Sequence, residues 1–559
     1  MRPESSYDID FLPEDPTQVL DTHNTGYLGH ICEVVWLRNL KSRVQPLANL
    51  PPSTVFTQLG ETNFYQDHCG VRMVEQQNPF NLPPEITATL LFQCYYQTVQ
   101  VTFPIIPTDI SHQLHLYYDS VRSGEPVTYP QRWFAIVHLV LAIGTRFSRL
   151  INAPWHGDHD ENVYLSSARQ FLDLEDSAIM LAKPDLPLIQ AFGLLAFYYM
   201  SIGHVNRAWV TVGTAMRFAI ALGFHTQAQI LSGNLQQALV VTQTWWSLHH
   251  LESLLSSMTG RPCILRSDDI TTPLPSDMED DPRKTISTVA LPILFPDAQV
   301  RLAVITQEVL STLYTRRRTP RSWAQAHAII MSMNSELDEW ALDAMPPNPE
   351  GSYTIPDLDG QQRMLRKQYY RLRILITRPS LRRIERCFET GSSEFTAFDQ
   401  DVAETCIQTA QDVASLLPDD VNLDLVYHKG PWWTIMHNIM QSLTILLIGI
   451  SCRPHFLSSY AGSVVSAKKL ITWLGYMRET NDTAKRAYQI VHSIVVANNM
   501  ADPFVWTDVA GVFGNEHIEG QRQMDPPVYL PWAGGEQALQ EQDDYRDGGE
   551  YGYFGVDVA

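Results

Sequence analysis

Hydrophobic positions recur at helical spacing through most of the chain, whereas no useful stretch alternates strictly between polar and apolar residues. The clearest pattern lies in residues 207–225, where Trp209, Val212, Met216 and Ile220 fall on one side of a helix. This spacing predicts an amphipathic helix with one buried face.

A second helix is predicted around the paired tryptophans Trp245 and Trp246, and each of these two helices is followed by a glycine. Gly223 follows the first helix and Gly260 the second, and Pro262 comes two residues later. Glycine adopts the left-handed conformation that stops a helix, and proline cannot continue one. We therefore expect two well-defined helices with sharp ends.

Helical patterns separated by proline breaks extend over most of the remaining chain. We predict helices within residues 91–99, 133–147, 164–180, 188–202, 300–314, 323–342, 363–381, 406–417, 432–452 and 467–496. The predicted fold is all-α, with irregularly angled helices around one extended core rather than an up-down bundle. Residues 1–85 and 501–559 lack sustained periodicity, so we expect irregular or disordered termini there, the second an acidic, aromatic tail.

The order and spacing of the central motifs resemble the middle homology region of fungal-specific transcription factors. The residues that carry this resemblance are Trp209, Gly213, Arg217, Gly223, His225, Trp245, Trp246, Gly260, Arg261, Pro262, Asp269, Pro273 and Pro275. In that family the region is an all-α regulatory domain, in which these residues have structural roles. The resemblance implies a homology core over residues 86–290 and a second helical half of the same domain over residues 291–500. Tyr27-Leu28-Gly29-His30 loosely resembles a short element that precedes the region in the family.

The family's regulatory domain usually follows a zinc binuclear cluster that binds DNA. Such a cluster needs six cysteines in two C-x2-C-x6-C halves, because its two zinc ions share thiolates. The seven cysteines of this sequence include no C-x2-C pair. We therefore expect either a regulator without the cluster or a sequence from which an N-terminal portion is missing.

The net charge of −21 means that any contact with nucleic acid would need a local basic patch. The best candidate is the predicted helix over residues 363–381 and its continuation, with tyrosines interleaved. Its basic residues are Arg363, Arg366, Lys367, Arg371, Arg373, Arg378, Arg382, Arg383 and Arg386. The alternative is a solvated or salt-bridged helix face, which charge runs on helices usually form.

Candidate chemistry elsewhere is sparse. The sequence Trp155-His156-Gly157-Asp158-His159-Asp160 gathers metal-ligand types, although a structural loop has the same composition. Cys263 follows a cationic residue, but no base is placed beside it. No nucleophile elbow, P-loop or dinucleotide fingerprint occurs. We expect no catalytic residue, no cofactor and no metal site.

The resemblance implies a transcriptional regulator in the nucleus, and not an enzyme. It would act through protein partners: the transcription machinery, a second copy of the chain, or a DNA-binding co-regulator. Many members of the family control a local metabolic gene set, including secondary-metabolite clusters. The acidic, aromatic residues 541–557 are typical of either an activation segment or a solubilising tail. The rival hypothesis is an enzyme or small-molecule-binding protein on a repurposed helical domain, with ionisable groups near His156, His159 or His249.

Overall fold

Seventeen α-helices and no strand occur in the part of the chain that the computed structural model describes. That part comprises residues 26–43, 62–74, 78–124, 127–155, 159–172, 184–227, 234–278, 294–314, 322–345, 360–391, 395–428, 430–452 and 460–514. The all-α prediction is confirmed.

We number the helices in chain order. They are α1 (Glu33–Ser42), α2 (Glu85–Tyr95, continued by a π-helical turn Tyr96–Gln100), α3 (Ile110–Ser123), α4 (Gln131–Leu150), α5 (Glu161–Phe171), α6 (Leu186–Ser201), α7 (Val205–Ala221), α8 (Leu235–Thr259), α9 (Phe295–Leu313), α10 (Trp323–Ala344), α11 (Gly360–Thr390), α12 (Ala397–Ser415), α13 (Leu423–His428), α14 (Ile435–Ser451), α15 (Tyr460–Met477), α16 (Asp482–Ala501) and α17 (Pro503–Gly514).

The centre of the protein is formed by helices that are apolar on nearly every side. In α4, α6 and α14 almost every residue is buried, as expected for helices surrounded by other helices. The segments Gln131–Leu150 and Trp432–Ser451 are long and apolar enough to cross a membrane, but 94% of the apolar 18-residue window in each is buried inside the protein. They are therefore core helices of this fold.

One continuous cluster of buried hydrophobic residues extends from Leu28 near the N-terminus to Val509 in α17. A second, smaller cluster lies between α9, α10 and α11 and is built around Leu302, Leu337 and Leu372. The predicted halves, 86–290 and 291–500, both contribute to the larger cluster, and the division between them stays a prediction.

The N-terminal segment contains a helix that we did not expect within residues 1–85. Nearly all of α1 is buried, including Val34, Leu37 and Leu40, and the helix packs against α14 and α16. Its buried face also carries Glu33 and Arg38, which hide the apolar periodicity in the sequence. Irregular structure is therefore the wrong prediction for this part of the segment.

The expectation of irregular structure over 501–559 is also wrong where the chain can be described. Helix α17 begins at Pro503 and buries Val505, Trp506 and Val509 against α15 and α16. A face of only three apolar residues is too short to be distinguished from a tail by periodicity. The predicted acidic segment, 541–557, lies outside the described residues.

Helix α11 continues through Pro379, although we predicted that it ends near this residue. A proline inside a helix lacks the N–H that would bond the carbonyl four residues earlier. Here that carbonyl belongs to Leu375, and it accepts a hydrogen bond from the hydroxyl of Tyr314 instead. The tyrosine thus satisfies the group that the proline leaves unpaired, which allows the helix to extend to Thr390.

Buried histidines should make the protein sensitive to acid. Burial lowers the pKa of His138, His204 and His249 to about 4, and those of His250 and His437 to about 3. A group whose pKa is lowered by folding stabilises the protein above its unfolded pKa of about 6.5, and this contribution is lost as the pH falls towards the folded value.

Three buried carboxyl groups oppose this effect. Burial raises the pKa of Glu33 and Glu252 to about 7 and that of Asp67 to about 6. Their contribution is present below the unfolded pKa and is lost as the pH rises through the folded value.

On unfolding, five histidines gain protons and only three carboxyl groups lose them. The unfolded chain therefore binds more protons than the folded chain between pH 4.5 and 6.5. We expect the free energy of unfolding to fall as the pH is lowered through this window, by at most about 2.7 kcal/mol per pH unit for two excess groups. Urea unfolding curves at half-unit pH intervals measure this slope. A free energy of unfolding that stays constant or rises on acidification would contradict the burial of the histidines.

Candidate functional site

Helices α7 and α8 carry five of the thirteen motif residues and pack against each other. Gly223 (φ +75°) follows the C-terminal turn of α7, and Gly260 (φ +71°) ends α8. Both predicted left-handed stops are confirmed. Trp209 of α7 donates a hydrogen bond from Nε1 to the Ser256 hydroxyl of α8 at 3.2 Å, which joins the two helices by a polar contact.

The paired tryptophans have different surroundings. Trp245 is fully buried in the main hydrophobic cluster, with the ring of His225 at 6.1 Å between centroids. Trp246 lies at the edge of the core and donates its indole N–H to the carbonyl oxygen of Pro273 at 2.8 Å. That contact holds the loop after α8 against the helix.

The other motif residues lie around the loop that follows α8. Gly213 is next to the side chain of Ile264 in this loop, and Arg217 donates back to the Gly213 carbonyl at 3.3 Å. Asp269 ends an exposed 3-10 turn, Ser267–Asp269, and Pro275 begins a second one, Pro275–Asp277. These contacts place every motif residue in or beside one region, and their structural role stays a prediction.

Two glycine backbones touch where the N-terminal segment meets the end of α8. The N–H of Gly29 donates to the carbonyl of Thr259 at 2.7 Å. A Cβ added to Gly29 would lie 2.1 Å from the carbonyl oxygen of Gly260, and a Cβ on Gly260 would lie 2.6 Å from the Cα of Gly29. This Gly29–Gly260 junction therefore needs glycine on both sides.

Arg261 fastens the junction from the side. Its Nε donates to the carbonyl of Tyr27 at 2.8 Å, and its guanidinium lies over the ring of Trp209, 4.8 Å from the centroid. The charge also opposes the effect of burial on Asp67, whose carboxylate accepts from the backbone N–H of Asn206 at 3.0 Å. One motif arginine thus links the residues around Tyr27, helix α7 and the segment that contains Asp67.

Helix α8 also contains a buried acidic residue, Glu252, near this junction. Glu252 accepts a hydrogen bond from the backbone N–H of Ile264 at 2.9 Å and another from the Ser256 hydroxyl at 3.3 Å. Burial, followed by the charge of Glu252, raises the pKa of the Cys263 thiol well above its ordinary range. The thiol is therefore protonated at neutral pH and is a poor nucleophile.

The basic helix that was the best candidate for DNA contact is partly buried in the protein. Arg371 and Arg378 of α11 have only 6% and 1% of their surface exposed. Burial also lowers the pKa of Lys367 to about 8. The alternative of a solvated helix face is therefore wrong for Arg371 and Arg378.

Acidic partners from several elements engage other arginines of α11. Arg373 is paired with Asp338 of α10 at 2.9 Å, and Arg383 with Asp399 of α12 at 3.0 Å. Arg382 is paired with Glu385 one turn along the same helix. The salt-bridged alternative describes these three residues correctly.

The metal-like sequence before α5 is only partly described, because residues 156–158 lie outside the described ranges. Asp160 caps α5 by accepting from the backbone N–H of Asn162 at 2.9 Å. Among the described residues, no group of three or more histidine, cysteine, aspartate or glutamate side chains is arranged to hold a metal ion.

The histidines of α8 also have structural partners. Buried His249 contacts the amide oxygen of Gln307 through Nε2 at 3.2 Å. His250 and Trp246 line a small cleft of about 70 Å³. This volume holds only about two water molecules, so the cleft is too small for an organic substrate.

Comparison with known protein families identifies the central part of the chain. Residues 92–341 match the model of the fungal specific transcription factor domain. Over these residues the chain is similar to fungal specific transcription factors. Helices α3 to α9 lie entirely inside the match, together with the paired tryptophans and the Gly260 side of the glycine junction.

The sequence similarity to individual proteins extends beyond residues 92–341. Transcription regulator galc of Aspergillus niger is 25% identical over 87% of this chain and 69% of its own length. Sorbicillinoid biosynthetic cluster transcription factor 2 of Penicillium rubens is 25% identical over 67% of this chain and 55% of its own length. Activator of stress genes 1 of Saccharomyces cerevisiae is 22% identical over 59% of this chain and only 35% of its own length. The chain thus spans 35% to 69% of the length of these relatives.

Proposed function

We propose that the chain regulates transcription in the nucleus through contacts between its helical domain and other proteins. The fungal specific transcription factor domain and the relatives named as transcription factors support a regulatory role. The main support for action through proteins rather than DNA is the burial of Arg371 and Arg378 in α11. These two arginines cannot reach phosphate groups without unfolding the domain. Partners of the proposed kind are the transcription machinery, a second copy of the chain, or a DNA-binding co-regulator.

The proposed targets are genes of a local metabolic set. Two relatives that each align with 67% of this chain are named for secondary-metabolite clusters, the sorbicillinoid factor of Penicillium rubens and the fusaridione A factor of Fusarium heterosporum. Both names support a cluster-regulating role for this chain. We do not favour an enzyme, since the family and the named relatives are regulators.

Direct binding to DNA provides the test. We expect the purified chain to bind labelled promoter DNA weakly and without sequence preference, with affinity that falls steeply as salt increases. Fluorescence anisotropy at 50 and 150 mM salt, with unlabelled promoter and scrambled DNA of equal length as competitors, measures both properties. Equal competition by the two DNAs supports action through proteins. Tight binding that only the promoter fragment displaces would contradict the proposal.

A further inference from the structure

A polar cavity of about 530 Å³ opens beside helices α4, α5 and α16. Two acidic residues line it, Glu161 and Asp482, against a larger number of basic ones. The basic lining residues are Arg72, Arg146, Arg149, Lys485 and Arg486. Arg72 is paired with Asp160 at 3.9 Å, so a local excess of two positive charges remains. In a chain of net charge −21, this excess creates a field that concentrates small anions.

One carboxylate in this cavity is shared by two arginines. Glu161 Oε1 lies 2.8 Å from Nη2 of Arg149 and 3.8 Å from Nη1 of Arg146. A single carboxylate balances only one of the two guanidinium groups, so one positive charge remains available to a ligand. Arg146 and Glu161 are each only 5% exposed, which strengthens electrostatic attraction at this depth.

Several polar atoms of the cavity residues are buried without a hydrogen-bond partner. They are Nε of Arg146, Oε2 of Glu161 and Nδ1 of His204. A buried polar group without a partner costs about 1 to 3 kcal/mol, and native proteins usually satisfy such groups with protein, water or ligand atoms. The cavity thus holds unused hydrogen-bonding capacity.

His204 lines the cavity, and His68 lies beside Arg486, with 2.6 Å between His68 Nε2 and Arg486 Nη1. Burial lowers the pKa of His204 to about 4, and the charge of Arg207 acts in the same direction. Burial and the charge of Arg486 likewise lower the pKa of His68. At neutral pH both imidazoles are therefore uncharged, and that of His204, which lines the cavity, can donate one N–H to an anion.

We propose that this cavity binds a small organic anion, a metabolite carrying carboxylate or phosphate groups, between Arg146 and Arg149 on one side and Lys485 and Arg486 on the other. Its volume lies within the range of about 300 to 1,000 Å³ that is typical of small-molecule sites. Arginine and lysine recognise carboxylates and phosphates by charge-assisted hydrogen bonds. Binding of such an anion is independent of the regulatory role proposed above.

The binding site brings together residues that are far apart in the chain. Arg146 and Arg149 belong to α4, inside the transcription factor domain, whereas Lys485 and Arg486 belong to α16, more than 140 residues beyond its matched end. An anion that contacts both groups would link these helices. Such a ligand stabilises the folded chain in proportion to its occupancy.

The test measures thermal unfolding and calorimetric binding of the full chain at constant ionic strength. The probes are citrate, inorganic phosphate and glucose 6-phosphate, with uncharged glucose as the control. We expect citrate or a phosphate probe to raise the Tm and glucose to leave it unchanged. Comparison of citrate with the two phosphate probes distinguishes a carboxylate ligand from a phosphate ligand.

Two substitutions of exposed residues on the rim, Arg149→Gln and Lys485→Gln, leave the buried Arg146 in place and should each weaken binding of the active probe about tenfold. Arg301→Gln removes an equally exposed arginine of α9 that does not line the cavity, and should leave the Kd unchanged. Failure of all three anions to bind would overturn the proposal. So would equal weakening by the rim variants and the control, or a glucose effect as large as that of the anions.

Discussion

Replacing Gly260 with alanine is expected to lower the free energy of unfolding by about 3 kcal/mol, because two separate costs add. The residue has φ +71°, where a side chain strains the backbone, and the new Cβ would lie 2.6 Å from the Cα of Gly29. Since the obstacle is backbone, no side chain can move to relieve it. The N-terminal segment would have to separate from α8, which exposes the buried Leu28.

Two matched variants separate these costs. Gly124 has φ +75° with nothing within 4 Å of an added Cβ, so Gly124→Ala introduces the strain alone, about 1 kcal/mol. Gly29→Ala introduces the clash without a left-handed backbone, since its Cβ would lie 2.1 Å from the Gly260 carbonyl oxygen. Chemical denaturation of the three variants should rank Gly260→Ala as the most destabilised. Equal losses for Gly260→Ala and Gly124→Ala would mean that the junction does not form.

Replacing Arg378 with methionine should destabilise the fold by about 3 to 5 kcal/mol, the usual cost of removing one partner from a buried set of charges. Its guanidinium lies over the ring of Trp36 at 4.6 Å and near that of Tyr314 at 5.7 Å from the centroids. Arg378 and Arg371 also oppose the effect of burial on Glu33, whose pKa is raised to about 7. Methionine keeps much of the volume but removes the charge and both ring contacts.

A double-mutant cycle with Glu33→Gln tests whether the two charges act together. Glu33 is largely ionised at pH 8 and largely protonated at pH 6, so the coupling between the two substitutions should be larger at pH 8. Arg301→Met on the exposed face of α9 is the control and should change stability by less than about 0.5 kcal/mol. The same coupling at both pH values would exclude an electrostatic link through Glu33.

The helices could be predicted correctly from the sequence where the helical periodicity is continuous. The spacing of Trp209, Val212, Met216 and Ile220 predicted α7, and Gly223 and Gly260 marked the ends of the motif helices. These features are local, so the chain itself displays them. The family resemblance rested on the same local pattern, which the domain match over residues 92–341 also covers.

Contacts between distant residues could not be predicted in this way. The hydroxyl that compensates Pro379 comes from Tyr314, and the partner of Gly260 lies more than two hundred residues earlier. Helices α1 and α11 contain many charged residues, as solvent-exposed helices do. Nevertheless, Glu33 of α1 and Arg378 of α11 are both buried, and the charge of Arg378 acts on Glu33. The short tyrosine-glycine element at Gly29 was the one sequence signal of the Gly29–Gly260 junction. The sequence did not indicate that this element contacts Gly260.

The cavity lined by Arg146 and Lys485 was missed for the same reason. Its basic residues come from three separate regions of the chain, around Arg72, Arg146 and Lys485. Periodicity assigns a residue to the inside or outside of its own helix, but it does not indicate which helices meet.

Tethering the chain to a reporter promoter tests the central claim most directly. The chain is fused to an unrelated DNA-binding domain, and reporter expression is compared with that from the DNA-binding domain alone at equal protein abundance. We expect the fusion to change expression severalfold, and Gly260→Ala at matched abundance to reduce that change by disturbing the helical domain. Reporter expression identical to that of the DNA-binding domain alone would contradict regulation through protein contacts.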